Sequence, residues 1–509
     1  MDKIIDWIKK SVGVCAGFDT YVDNSLQDEF KKLEKEYLQF SQDEKNKVNH
    51  ILRSQFDISD LTYILSFFVK YMNISEFEEK VLDCLISTDY DCYTNSMLEL
   101  QVVVGISGFY EKKRQLHRKN VEKYVSTLQS QYPYIEMKAR NKNRIVIITE
   151  QILGINHAPT KAVLDTAVAM KKMNYEVMIF VCPSDINIGE GLWHDSISLN
   201  CIQDVRNQYF VLGHKGVDLE VYQINMDDEG LNHYKKMLDF IYEYKPLFVY
   251  SMGMFNPIGD VPQRFITTVA RKYSLGLPVS DADVIVEIKG ETSCQDIKHL
   301  SEKQKLYEEK SGVNYFEISD NKVTRSELNL PEDKFLITVV GNRLDEEIRD
   351  EFISVMEKIG EDISNVGFVV IGKVSKAKER IDKSKIADKV YYLGYCDDIM
   401  SIYPTMDLYV NPERKGGGFS SVMALIMGVP VVTLPDCDVA YNVGEDFVVK
   451  DYEQMIEQIC RYYNDKEYYS VQKSLTKKFA DENSVEAAEK SLETRIKNLI
   501  TYVEDNYDE

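Results

Sequence analysis

Through residues 1–140 the apolar positions recur at helical spacing. The charged run from Asp28 to Leu38 carries Phe30, Leu33, Tyr37 and Leu38, and the run from Leu61 to Val69 repeats the pattern. No proline occurs before Pro133, so little punctuates these helices. The pattern predicts an all-helical segment over 1–140, with helical hairpins as one arrangement and no fixed-period repeat.

The rhythm changes at Asn143. Arg144-Ile145-Val146-Ile147-Ile148-Thr149 leaves no gap for a polar face, as expected of a strand buried on both sides. A glycine-bearing loop, a helix from Lys161 to Lys172 and a strand from Glu176 to Val181 follow; Leu247–Ser251 and Ala282–Val286 supply further strands. After a polar connector from Ser319 to Pro331 the alternation restarts. Phe335–Gly341 predicts a strand, a helix runs from Glu346, and strands follow at Phe368–Gly372, Val390–Gly394, Asp407–Val410 and Val429–Val432. Strands alternating with helices imply parallel, doubly wound sheets. The expected division is a helical domain over 1–140, a Rossmann-like domain over 141–325, a second over 326–485, and a C-terminal helix with an acidic tail over 486–509. Two such units in tandem predict a cleft between the carboxyl ends of two sheets.

Composition narrows the function classes. Apolar residues make up 44% and charged residues 28%, enough for ordinary globular cores. The 83 acidic and 61 basic side chains leave a net charge of −22, which disfavours nucleic acid and anionic lipid as partners. A local basic pocket could still hold a small anion. The nine cysteines are scattered, with no Cys-x-x-Cys pair, which argues against a disulfide framework or a structural zinc site. No signal-peptide pattern follows Met1, and no apolar run approaches the ~20 residues of a membrane span. A cytoplasmic protein is expected, and the usage of Lys, Ile, Asn and Tyr suits a low-GC bacterium.

The stretch Leu393 to Glu445 is the most specific. Leu393-Gly394-Tyr395 precedes Asp397-Asp398, and Asp407-Leu408-Tyr409-Val410-Asn411-Pro412 leads into Lys415-Gly416-Gly417-Gly418-Phe419-Ser420-Ser421. Gly428-Val429-Pro430-Val431-Val432 closes the series. The glycines allow close backbone approach to a diphosphate. Ser420 and Ser421 then stand at a helix N-terminus, where the dipole favours anions. A plain glycine-rich strand-to-helix turn is the competing reading. The order of these elements resembles the donor-binding half of GT-B glycosyltransferases, of the family 1 and family 4 kind.

That resemblance implies a GT-B fold and a nucleotide-sugar co-substrate, with no bound cofactor and no metal. Arg343, in Gly341-Asn342-Arg343-Leu344, resembles the family's pyrophosphate-contacting arginine, and Arg414 and Lys415 add charge beside the glycine loop. Asp438 or Glu445 would hold ribose or sugar hydroxyls, and Tyr395 stands where the family's loop meets the nucleobase. Many retaining members carry Glu-x7-Glu here; Lys415 and Met423 occupy those positions. The absence is more similar to the inverting, protein-glycosylating branch that includes O-GlcNAc transferase and bacterial adhesin N-glycosyltransferases. Gly154-Ile155-Asn156-His157-Ala158-Pro159-Thr160 is similar to a loop of O-GlcNAc transferase in which a histidine faces sugar and acceptor. His157 is therefore the catalytic candidate, bonding the sugar or accepting a proton, unless it only caps the next helix. Asp281-Ala282-Asp283 has the letters of a metal-binding triplet, but it falls in the earlier α/β unit, away from the expected phosphates.

The expected function is metal-independent transfer of a hexosyl or N-acetylhexosaminyl group from a UDP-sugar to a protein or glycan acceptor. A non-catalytic GT-B subunit supporting a partner enzyme is the alternative, and a sugar-phosphate epimerase or phosphorylase ranks behind it. Homo- or hetero-oligomerisation stays open. Residues 1–140 are expected to serve the acceptor or a partner chain, or else to stabilise the neighbouring unit.

Overall fold

The computed structural model describes residues 2–17, 27–129, 131–154, 157–182, 205, 207–224, 230–273, 276–288, 294–309, 321–414 and 418–507. The chain forms two compact units, Met1–Ser311 with Glu493–Glu509, and Gly312–Leu492.

The first unit opens with helices α1 (Asp2–Gly17), α2 (Gln27–Leu38), α3 (Gln42–Gln55), α4 (Ile58–Met72), α5 (Glu78–Ser87), α6 (Cys92–Gly105) and α7 (Tyr110–Thr127). Local chemistry sets their ends. Ser41 and Glu44 form a reciprocal capping box on α3, Asp57 and Asp91 cap α4 and α6, and Asn73 ends α4 in the left-handed region. Their apolar stripes meet around Trp7, Tyr37, Phe68 and Phe77, and the Trp7 indole N–H donates to the Leu33 carbonyl at 2.9 Å. Satisfying that N–H removes the cost of burying it.

The strands that follow are β1 (Asn141–Thr149), β2 (Glu176–Val181), β3 (Gln208–His214), β4 (Val217–Gln223), β5 (Pro246–Met252), β6 (Thr268–Arg271), β7 (Val284–Ile288) and β8 (Lys305–Glu309). Their order is β3-β4-β2-β1-β5-β6-β7-β8, parallel except for the β3–β4 hairpin. Lys215 and Gly216, both with positive φ, turn that hairpin, as a two-residue loop matched to strand twist requires. Helix α8 (Ala158–Lys172) begins three residues before the predicted Lys161, because Pro159 fits the first turn of a helix. Helix α9 (Gly230–Tyr244) precedes β5. The hairpin, β6 and β8 were not predicted. Their half-exposed or very short patterns lack the unbroken apolar run that marks β1 and β5.

Helix α7 shares its core with the sheet: Val121, Tyr124 and Leu128 pack with Ile148, Val249 and Phe265. The helix Val485–Tyr507 returns to this unit at its C-terminal end. There Arg495 pairs with Glu309 at 3.3 Å and Tyr502 packs on Tyr307, both β8 residues. Asp283 accepts the Thr268 N–H at 2.8 Å, so this member of the Asp281–Asp283 triplet braces β6 against β7.

The second unit is a five-stranded parallel sheet, β9 (Phe335–Val340), β10 (Val366–Ile371), β11 (Val390–Gly394), β12 (Leu408–Val410) and β13 (Val431–Val432), in the order β11-β10-β9-β12-β13. The predicted helix from Glu346 is two pieces, Leu344–Glu347 and Asp350–Asp362. Burying Phe352, Met356 and Ile359 against β9 and β10 holds the longer piece, at roughly 1.5–3 kcal/mol per fully buried side chain. Among the described residues no helix is long and apolar enough to cross a membrane.

Candidate functional site

In a doubly wound sheet, ligands bind at the carboxyl ends of the strands where the winding direction reverses. In the second unit that point lies between β9 and β12. The chain winds from β9 through β10 to β11 on one side, then resumes with β12 and β13 on the other. Gly341-Asn342-Arg343 leaves β9 there, and Asn411-Pro412-Glu413-Arg414 leaves β12.

Two backbones approach closely at this edge. A Cβ on Gly372, whose φ is +137°, would lie 1.9 Å from the Gly341 carbonyl oxygen, and a Cβ on Gly341 would lie 2.6 Å from Arg414 Nη1. Only glycine fits at Gly372, and a side chain at Gly341 would have to displace Arg414.

The two arginines have different fates. Arg414 is buried and donates to Asn411 Oδ1 at 2.6 Å, the Val340 carbonyl at 2.8 Å, Glu347 Oε2 at 2.8 Å and the Tyr409 hydroxyl at 2.7 Å. It is a strut tying β9 to β12, not a free charge beside the glycine loop. Arg343 touches Glu347 at 3.4 Å, and its side chain is 68% exposed. It sits at the N-cap of the helix Leu344–Glu347 with a guanidinium open to a ligand.

Lys415, Gly416 and Gly417 lie outside the described residues. Gly418 opens the helix Gly418–Ile426 and packs against the helix Asp438–Val443. A Cβ at Gly418 would come within 2.6 Å of Asn442 Nδ2 and 3.2 Å of Asp438 Oδ2. The Gly418 N–H donates to the Asp438 carboxylate. Burial nonetheless outweighs that bond and raises the Asp438 pKa. The Ser420 hydroxyl meets the Tyr409 hydroxyl at 2.9 Å, and the buried Ser421 hydroxyl donates to the Gly418 carbonyl at 2.7 Å. Arg343, Glu347, Arg414, Tyr409 and Ser420 thus form one chain of contacts, with Gly418 and Asp438 forming a second group. Tyr395 is 60% exposed beyond β11, and Glu445 opens a 3-10 turn after Gly444. Among the described residues neither hydrogen-bonds to the other site residues.

The first unit reverses its winding between β1 and β5. His157 stands at the N-cap of α8, where its side chain makes no capping bond to the backbone. Its Nδ1 instead meets the Thr160 hydroxyl at 2.9 Å. Burial lowers its pKa, so the imidazole is neutral near pH 7. Glu150, unnoticed in the sequence, directly follows β1. Its Oε1 accepts the Met254 N–H at 3.2 Å, its Oε2 makes no hydrogen bond among the described residues, and burial pushes the carboxyl up to about 7 although the Met254 and Phe255 N–H groups oppose this. A Cβ on Gly253 would lie 3.0 Å from the Glu150 carboxyl carbon. A carboxylate closing an unbroken apolar strand is the sequence signal that could have found it.

Residues 320–479 match the family model of the glycosyl transferases group 1. Among curated proteins, the lipopolysaccharide core biosynthesis mannosyltransferase LpsB of Rhizobium meliloti is 39% identical over 59 residues, 11% of this chain and 17% of that protein. The chain therefore spans under a fifth of that relative's length. Among solved structures, a mutant of the Thermobaculum terrenum O-GlcNAc transferase matches with a TM-score of 0.50 at 12% identity, covering 98% of each chain. A glycosyltransferase from Rickettsia africae matches with a TM-score of 0.48 at 13% identity, covering 72% of this chain and 100% of the other. The chain has the GT-B fold, and within its second unit residues 320–479 are similar to the glycosyl transferases group 1 model.

Proposed function

We propose that the chain transfers a hexosyl or N-acetylhexosaminyl group from a UDP-sugar to a hydroxyl or amide of a protein or glycan acceptor, without a metal. The observation that carries this reading is the pairing of an exposed Arg343 after β9 with a glycine-headed helix after β12, on the two sides of one switch point. Cationic and dipolar groups there stabilise the leaving nucleoside diphosphate. The bond from the anomeric carbon to the phosphate oxygen breaks, its electron pair leaving with the diphosphate. The acceptor oxygen or nitrogen bonds to the anomeric carbon and gives up its proton. His157, neutral near pH 7, is suited to accept that proton or to bond the sugar. Asp438 or Glu445 holds ribose or sugar hydroxyls, and Tyr395 meets the base. With Lys415 and Met423 in place of paired glutamates, both stereochemical outcomes stay open.

A specific observation also favours a second reading, a non-catalytic subunit that binds glycan or protein and supports a partner glycosyltransferase. The Gly418 N–H is already taken by Asp438, and the Ser421 hydroxyl is spent within its helix. Donor hydrolysis without acceptor separates the two, since only an enzyme releases UDP. A thermal-shift panel of UDP-, GDP-, ADP- and TDP-sugars identifies the donor; a ligand at a hundredfold excess over Kd adds roughly 2.7 kcal/mol of stability. Turnover should persist in EDTA. Loss of turnover restored by manganese would overturn the metal-independent part.

A further inference from the structure

A cavity of about 600 Å3 opens in the first unit between α9 and the β2–β4–β3 side of the sheet. Glu150 and His157 are not among its walls, so it is separate from the carboxyl edge described above. Its size falls within the ~300–1,000 Å3 of small-molecule sites.

Strand register explains why it exists. Phe180, Tyr222 and Tyr209 are successive cross-strand partners, as are Met178, Glu220 and Val211, so all six side chains share one face. Helix α9 packs on β1 and meets the hairpin through His233, whose Nδ1 lies 2.8 Å from the Tyr222 hydroxyl, while Tyr209 stays 50% exposed and Val211 53% exposed. Tyr175, Phe180, Tyr209, Tyr222, Phe240 and Tyr244 supply rings to the cavity. Phe240 and Tyr244 stack with centroids 4.9 Å apart, and Phe240 is itself 38% exposed.

The polar groups at this cavity set the class of ligand. Glu176 and Glu220 balance Lys171 and Lys236, so the lining offers no net charge to a phosphate or an acidic lipid. Among the described residues the Tyr175 hydroxyl and the Lys236 ammonium make no hydrogen bond, and Glu220 accepts only a long one, 3.3 Å from the Tyr209 hydroxyl. Aromatic faces flanked by open donors and acceptors suit a ligand with an apolar face and a hydroxylated rim. A pyranose ring has that form.

We propose that this cavity binds a neutral oligosaccharide, holding glycan at a place distinct from the transfer site. The proposal does not rest on the sugar-transfer reading. Arg343→Ala, which disables the proposed donor site, should leave saccharide binding intact. The test is calorimetry of the full chain with maltotetraose, cellotetraose and chitotetraose. At least one should bind saturably at one site per chain. The double variant Tyr209→Ala/Phe240→Ala should weaken it at least tenfold while UDP binding is unchanged. Both residues are already part-exposed; Glu220→Gln, which keeps the shape of the cavity, should weaken it at least threefold. The proposal fails if none of the three saccharides binds, or if binding is unaltered in both variants. It also fails if the wild type self-associates through these rings and the double variant does not.

Discussion

Arg343 and Arg414 leave the ends of neighbouring strands, yet their surroundings give them opposite tasks. Arg414 makes four hydrogen bonds within the protein, and its removal would strand the Glu347 carboxylate in a buried site. Arg414→Ala should therefore cost about 3–5 kcal/mol of stability, read by urea denaturation. Arg343→Ala should leave stability nearly unchanged, because an exposed pair contributes little. It should instead weaken UDP by about 1.5–3 kcal/mol while sparing uridine, since the contact proposed for it is to phosphate. Equal losses for uridine and UDP in calorimetry would sink that assignment. Sequence alone placed Arg343 at a strand end. It could not separate ligand from strut, because that depends on which carbonyls and carboxylates the fold brings to each guanidinium.

Between elements, α6 and α7 are joined to the segment after β5 by a buried ionic bridge. The His117 ring donates from Nδ1 to Glu99 and from Nε2 to Asp260 at 2.8 Å, and Asn120 also donates to Glu99. Burial by itself would lower the His117 pKa, but the two carboxylates raise it to about 10. Asp281 faces the same cluster, with its backbone N–H donating to Asp260 at 2.7 Å, and Arg264 and Arg118 lie near Asp281. A folded pKa above the unfolded value of about 6.5 fixes the sign. The bridge contributes fully below pH 6.5, and its contribution is lost as pH rises through about 10. The wild-type unfolding free energy should fall across that window, and His117→Gln should flatten the slope. A wild-type curve that is level from pH 6.5 to 10 would refute the charged bridge. No periodicity in α6 or α7 announced this contact, since its partner Asp260 lies 143 residues from His117.

At the scale of the whole molecule, the helical segment is not an appendage. Val121, Tyr124 and Leu128 of the α7 region pack with sheet residues, and Phe255, from the segment after β5, lies in the core built by α1 to α6. Deleting residues 1–127 would expose both apolar surfaces at once. The truncated chain should be recovered aggregated, or with its melting transition lowered by well over 10 °C. A soluble truncation melting as the full chain does would show that the two cores are independent. Of the two roles considered for this segment, stabilising the sheet is thus built into the packing, and any service to an acceptor would be additional to it.

The sequence by itself determined the parts of this protein that local physics controls. The unbroken apolar runs of β1, β5, β9 and β10, and the helix that opens at Gly418 ahead of Ser420, are short-range features, legible because strand period and helix period act over a few residues. Tertiary structure alone decided what depends on distant neighbours. It set the antiparallel β3–β4 hairpin at the sheet edge, and it buried Glu150 beneath the Met254 N–H. It consumed the Ser421 hydroxyl within its helix and spent Arg414 on Val340 and Glu347 while leaving Arg343 exposed. The physical reason is common to all of these. A polar side chain's role is set by the partners and the burial it receives, and those come from elements far away along the chain.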